Sequence, residues 1–433
     1  MRLEIPLTSR YACRGCGACC RRGFDIHCPA ADRERLARVD WPAVDSALAG
    51  GELFARARRG FRLALDADGA CRFLASDHRC RMHAKLGYEA KLLACKMFPV
   101  YFRQVGRRTR VGLLYSCPAV CDGDGPALSG QRGALETLRD ERDRLALAAR
   151  GGAADADREI EAVRLFSRAL PLDGERLERL ASWEAGVAEF LREPAFPWRR
   201  RLWGAAAWVD GAGAMPREAQ ADARAFSAWL DDAGRRAREA AAHGIMPWVK
   251  LSAWERIGLR QLCGLIVAMW EPRAGVGGRA SWQARARRAG AWWRHAVGRG
   301  GAGFPFGNAR LESVWASPPD DWPDASGELL TRYVAARFEA GAYYGSASWG
   351  MPVVVGARWT TALPAAASVL ARCAARAGGR DVPSYGDVRL GVMMTDNVVG
   401  HLGELSAGFW LRPAFDAIGR AGWPARVLRA ALG

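Results

Sequence analysis

Four thiols fall within eight residues at Cys13-Arg14-Gly15-Cys16-Gly17-Ala18-Cys19-Cys20, and Cys28 follows. No other stretch restricts this chain as tightly. A Cys-x-x-Cys turn aims two thiolates at one metal, and Gly15 and Gly17 permit the positive φ angles that such knuckles often need. Cys19 and Cys20 are adjacent, so their side chains point in different directions on extended or helical backbone. They do not suit one mononuclear ion together, which leaves one for a second metal or as a free thiol. Buried structural cysteines or disulfides are the alternative, and ligand spacing this dense argues against it.

The chain has room for two or three domains and a large core, with 433 residues of which half are hydrophobic. Met1 to Tyr11 contains no apolar run of signal-peptide length. No later segment gives 18 uninterrupted apolar residues; Ile257 to Trp270 comes nearest and carries Arg260 and Gln261. The expectation is a cytoplasmic, reducing location without a transmembrane segment, where clustered cysteines bind metal more readily than they pair.

The net charge of +17 is carried almost wholly by arginine, since Lys85, Lys91, Lys96 and Lys250 are the only lysines. Residues 1–125 hold 22 basic against 13 acidic residues, a net +9, so this first part is the more basic by density. Such a balance fits an acidic partner or a solvated surface. Cysteine divides the chain more sharply. Ten of twelve cysteines lie before residue 122, whereas Trp41 is the only tryptophan of the 18 in the first 125 residues. The chain reads as mainly α: a small irregular cysteine-rich metal-binding module, residues 1–125, followed by a larger, mostly helical domain, residues 126–433, whose first residues, 126–155, form a connector.

Within the module, Asp32 to Val39 and Pro42 to Arg59 read as helices. Phe61 to Leu65 alternates, and Asp66-Ala67-Asp68-Gly69 reads as a hairpin turn leading into Cys71. Ala84 to Cys95 has helical spacing that Pro99 stops. Val100 to Val105 and Thr109 to Tyr115 alternate on either side of Gly106 and deliver Cys117 and Cys121. So little regular structure points to a module held together by metal.

Cys-x-x-Cys-Gly-x-Cys-Cys, Cys-x-Phe-Leu, Cys-x-Met-His-x-x-Leu-Gly, Cys-x-x-Phe-Pro and Ser-Cys-Pro follow one another along residues 10–122. Together they resemble the YkgJ-type cysteine-cluster family, a zinc- or iron-chelating domain that includes the flagellin lysine N-methylases. The matching residues are Cys13, Cys16, Cys19, Cys20, Cys71, Cys80, Cys95, Phe98, Pro99, Ser116, Cys117 and Pro118. Leu86-Gly87 and Ser116-Cys117-Pro118 resemble the methylase branch. The resemblance implies metal held by Cys13, Cys16, Cys19 or Cys20, Cys71, Cys80, Cys95 and Cys117. It favours an iron–sulfur cluster (4Fe–4S) over zinc. In that one branch it also implies methyl transfer from S-adenosylmethionine to lysines of a flagellin-like protein substrate.

Ligand chemistry does not separate the metals, because thiolates suit zinc and iron–sulfur clusters alike. Two tetrathiolate zinc sites would use eight cysteines; one cubane would use four and leave thiols over. His27, His78 and His83 stand beside cysteines and have the chemistry to ligate, although hydrogen-bonded surface histidines read the same way. Cys28 and Cys121 are weaker ligand candidates, and Cys263 and Cys373 sit in apolar helical patterns as small hydrophobes.

Beyond the connector helix, Leu135 to Arg150, helical patterns dominate: a helix capped by Asp173, then Pro216–His243, Trp248–Trp270, Ser326–Tyr344, Thr360–Ala377 and Ser384–Leu402. Pro352 to Val355 reads as a strand. Gly275-Val276-Gly277-Gly278 and Gly301-Ala302-Gly303 follow no predicted strand and read as loops. No strand-Gly-x-Gly signature of a Rossmann-type methyltransferase is present. The stretch from Pro272 to Leu311 holds eight arginines and no acid, with Trp282, Ala286, Ala289, Trp293 and Val297 on one helical face. His295 and His401 are lone histidines. Three function classes follow: a metal-dependent protein-modifying enzyme, a metal-binding or electron-transfer module with a helical interaction domain, and, least favoured, a nucleic-acid binder. No catalytic residue is identified, and oligomeric state is not readable.

Overall fold

The computed structural model describes residues 2–21, 26–57, 60–106, 108–149, 163–164, 171–172, 174–243, 249–270, 290, 306, 322–345, 348, 351–399 and 420–432. The chain begins with a strand, Arg2–Glu4 (β1), too short to show alternation in the sequence. The last residues of the cysteine knuckle wind into one helical turn, Ala18–Arg21 (α1), and His27–Cys28 (β2) leads into Ala30–Ala37 (α2). A single helix over 42–59 does not form. Trp41–Val44 (α3), a 3-10 turn at Ser46–Leu48 and a strand, Phe54–Arg56 (β3), replace it. The reason is local: the carboxylates of Asp40 and Asp45 accept the backbone N–H groups of Ala43 (3.3 Å) and Ala47 (3.1 Å), ending one turn and starting the next.

Phe61–Leu63 (β4) pairs antiparallel with both β2 and β3. Leu65 then bridges Cys71 across the turn at Asp66–Gly69, as the hairpin pattern predicts. The expected helix over 84–95 is broken into Arg81–Leu86 (α4), a 3-10 turn at Tyr88–Ala90, and Leu93–Met97 (α5). Gly87 stops the first piece at φ 85°, a conformation that glycine adopts without a Cβ penalty. Val100–Val105 (β5) and Arg108–Leu113 (β6) form the expected hairpin, in register from Val100↔Leu113 to Val105↔Arg108, and β1 lies parallel to β6. Pro118–Asp122 (α6) closes this part, with Gly123 in the left-handed conformation after it.

Among the described residues the rest is helical apart from a small pair of strands, Val163–Arg164 (β7) and Pro171–Leu172 (β8). The described helices are Arg132–Ala149 (α7), Gly174–Phe190 (α8), Trp198–Gly213 (α9), Arg217–Ala221 (α10), Ala223–His243 (α11), Ala253–Trp270 (α12), Asp324–Glu339 (α13), Val353–Ala377 (α14), Tyr385–Val399 (α15) and Trp423–Leu432 (α16). The helix predicted over 216–243 divides at Asp222, whose carboxylate caps α11 by accepting the Ala225 N–H (2.7 Å). Pro352 to Val355 is not a strand. Pro352 instead starts α14, where its missing N–H is no loss. The Asp173 cap, the Gly-rich loops, the arginine-rich stretch, its apolar helical face, His295 and His401 lie outside the described residues.

Two apolar clusters organise the molecule. The small one holds Cys28, Leu36, Trp41, Leu48, Leu63, Phe73, Met82 and Leu92, with the Trp41 and Phe73 rings edge-to-face at 5.1 Å. Each such side chain contributes about 1.5–3 kcal/mol by leaving water, a modest total for a core of eight. The large cluster spans the helical body and also takes in Leu3, Val100, Val111, Leu113, Cys117, Val120 and Leu128. The β1-β6-β5 sheet and α6 are therefore packed into the helical body. Gly391 lets α15 approach α14 so closely that any Cβ would collide with the Ala367 carbonyl. By length and composition α14 is apolar enough to cross a membrane, yet 89% of its most apolar window is buried inside the protein.

Candidate metal centre

The knuckle lies against the loop from Cys71 to Cys80. Gly15 and Gly17 both take φ 65°, and a Cβ on Gly17 would stand 2.9 Å from the His78 carbonyl oxygen. The Cys71 N–H donates to the Cys20 carbonyl (2.8 Å), and the loop is stitched by the Arg81 N–H to the Phe73 carbonyl (2.7 Å). From the other side, α5 brings in Cys95, and the turn after β6 brings in Cys117 at the start of α6.

Between these elements is a cavity of about 1250 Å³. All eight sequence-predicted ligands line it: Cys13, Cys16, Cys19, Cys20, Cys71, Cys80, Cys95 and Cys117. His27, His78 and His83 line it as well. Cys28 is buried in the small core, its thiol against the Pro29 carbonyl (3.7 Å), and Cys121 is buried in the large core and donates to the Tyr115 carbonyl (3.0 Å); neither reaches the cavity. Cys263 and Cys373 are fully buried among the helices, away from it.

Burial pushes the Cys71 thiol up to about 12, and the nearby Cys80 and Cys19 thiols add to this against a bond from the Phe73 N–H. Burial, then Cys71, raises Cys95 to about 12, with Lys91 opposing. Burial raises Cys117 to about 11 despite N–H groups of α6. The adjacent pair, with sulfurs 3.9 Å apart, splits: the hydrogen bond between them lowers Cys19, helped by Lys91, and raises Cys20. The raised thiols, Cys20, Cys71, Cys95 and Cys117, hold protons in the metal-free protein and release them on ligation.

The rest of the wall was not legible in the sequence. Tyr11, Tyr88 and Lys91 come from the module, while Trp270, Arg337, Ala342, Asn397 and Val399 come from the helical body. Five cations, Arg14, Arg79, Lys91, Lys96 and Arg337, line the cavity together with no Asp or Glu among the described residues. Arg337 pairs with Asp396 (3.4 Å), both at most 5% exposed, and Asp396 also accepts the Ser116 N–H (2.9 Å), one residue before Cys117. Two neighbouring buried bonds meet at Glu184 of α8: Arg110 of β6 (2.5 Å) and the Tyr343 hydroxyl, which follows α13 (2.6 Å), both donate to its carboxylate.

Eight thiols on one cation-rich cavity form a donor set that fits zinc, iron or an iron–sulfur cluster. Among the described residues no three Cys, His, Asp or Glu side chains already stand at coordination spacing. Residues 12–121 match the family described as "CxxCxxCC: Putative zinc- or iron-chelating domain". No curated protein and no solved structure matches the chain.

Proposed function

Because residues 12–121 carry a cysteine-cluster chelating domain, we propose that this protein binds metal at the cavity between its cysteine module and its helical body. The observation that carries the reading is the convergence of Cys13, Cys16, Cys19, Cys20, Cys71, Cys80, Cys95 and Cys117 on one wall system, with no carboxylate among its described residues. Cations around thiolates offset the negative charge that a tetrathiolate metal complex accumulates, and they favour ligands in the deprotonated form. Iron–sulfur clusters are the favoured occupant, with zinc as the alternative. Bound there, a cluster would supply electron-transfer chemistry. Anaerobically purified protein should contain iron or zinc at one equivalent per chain or more, and stoichiometric absence of both overturns the reading.

A second reading, protein-lysine methylation from S-adenosylmethionine, draws on the same cations. Lysine attacks only as the free amine, and Arg79 and Lys91 on the wall lower the pKa of an incoming ammonium. The space beyond the thiols offers room for a methyl donor. Incubating anaerobic holoprotein with the donor and a flagellin-like protein should then add mass in steps of one methyl group. Without donor binding or consumption, the protein is a metal-binding or electron-transfer module attached to a helical body.

A further inference from the structure

The cysteine knuckle is tied down in two directions. Arg14 donates to Asp122 (2.7 Å) and pairs with Asp124, which fixes its first half to the segment that carries Cys117. Its second half leans on the 71–80 loop through the Cys71 N–H bond to Cys20, the close approach of Gly17 to His78, and the contact of Arg21 with the His78 ring. The cores divide along the same line. Cys71, Cys80 and Cys95 pack on the small cluster around Phe73 and Met82, whereas Cys117 belongs to the large cluster, against which Tyr11 also packs. Cys19 and Cys20 stand at the join, their sulfurs 3.9 Å apart.

From this juxtaposition, and resting on the metal-binding reading, we propose that the eight cysteines make two four-thiolate sites: an outer one of Cys13, Cys16, Cys19 and Cys117, and an inner one of Cys20, Cys71, Cys80 and Cys95. Four thiolates complete a tetrahedral zinc or iron site, or hold one cluster. Cys19 and Cys20 are adjacent at the join, with sulfurs 3.9 Å apart, so each is placed to complete one of the two sets. Cys20 is held to Cys71 through its own carbonyl, which leaves Cys19 to complete the outer set. The inner site lies wholly within the module. The outer one joins the module to the helical body, because Asp396 of α15 grips the backbone beside Cys117.

Native mass spectrometry of the full chain, purified anaerobically, counts the centres. The wild type should carry two. C80S and C95S should each retain one, C13S and C117S should each retain one, and the double variant C95S/C117S should retain none. A wild-type chain with a single centre overturns the division and leaves metal binding intact, whereas a chain with none overturns both. A C95S or C117S chain that keeps the wild-type helical circular dichroism and loses both centres also overturns the division. The wild-type count decides the matter even where a variant fails to fold.

Discussion

Lys91 stands on the cavity wall, stacked near the Tyr88 ring (5.3 Å), and its charge lowers Cys19 and restrains the rise at Cys95. Removing that charge makes both thiols harder to ionise, so K91M should weaken metal binding by about 10–100-fold, the usual scale for a partner just beyond the ligands. K91R should restore most of it. A zinc competition titration with a chromophoric chelator reads the difference, and unchanged affinity in K91M would remove Lys91 from the site. Cys28 gives the contrasting case. It is 1% exposed and part of the small core, so C28A should cost about 1 kcal/mol in urea unfolding and leave the metal content unchanged. The ligand cysteines were legible because their spacing is local chemistry. The role of Lys91 was not, and Arg14 stands inside the knuckle but meets its partner Asp122 across 108 residues.

The elements that hold the cavity depend on buried charge rather than on propensity. Asp396 on α15 receives both Arg337 of α13 and the Ser116 N–H, and its side chain is 2% exposed. Removing one partner of such a pair strands the other, so D396A should cost about 3–5 kcal/mol in chemical unfolding. The pair on the surface of α11, Arg235–Asp232, has side chains 64% and 33% exposed, and R235A should cost about 0–1 kcal/mol. Equal losses would show that the Asp396 pair is solvated. At the far end, α16 is tied to α12 by Arg426, whose bond holds the Glu255 carboxyl down to about 2 from its usual 4.5. A depressed carboxylate stabilises the fold above its unfolded value and loses that contribution as the pH falls toward its folded one. Melting of E255Q should therefore lie a few degrees below wild type at pH 7, and the gap should narrow between about pH 4.5 and 2. A gap independent of pH would rule out the ion pair as its origin. Element type was readable wherever periodicity ran long, as over 223–243 and 360–377. It failed over 42–59 and 84–95, where single residues decide: two aspartates that cap short turns, and Gly87.

At the scale of the whole chain, the change in composition near residue 125 marks chemistry more than packing. Leu3, Val100, Val111, Leu113, Cys117 and Val120 lie before that point and still belong to the large core of the helical body. Alternation within β5 and β6 showed that one face would be buried, but not against which partner, since α13 and α15 lie more than 200 residues away. What remains outside the large core is the segment from the knuckle to α5, with short helices, two- and three-residue strands and a core of eight buried side chains. So small a core leaves little stability after chain entropy, and metal–thiolate bonds would supply the rest as folding energy. Stripping the metal with a chelator under reducing conditions should then raise amide hydrogen exchange across 13–97 by orders of magnitude. Exchange in α9, α14 and α15 should stay near its holo value, and far-UV circular dichroism should keep most of its helical signal. The hairpin β5–β6 should behave with the body, because its apolar face and the Arg110–Glu184 pair are buried there. Chelation that melts α14 together with the knuckle would show one cooperative unit, and full protection of 13–97 in the stripped protein would show that metal holds nothing together. The hairpin is the sensitive reporter, since it follows the knuckle in a molecule divided at residue 125 and follows the helices in one divided where the cores divide.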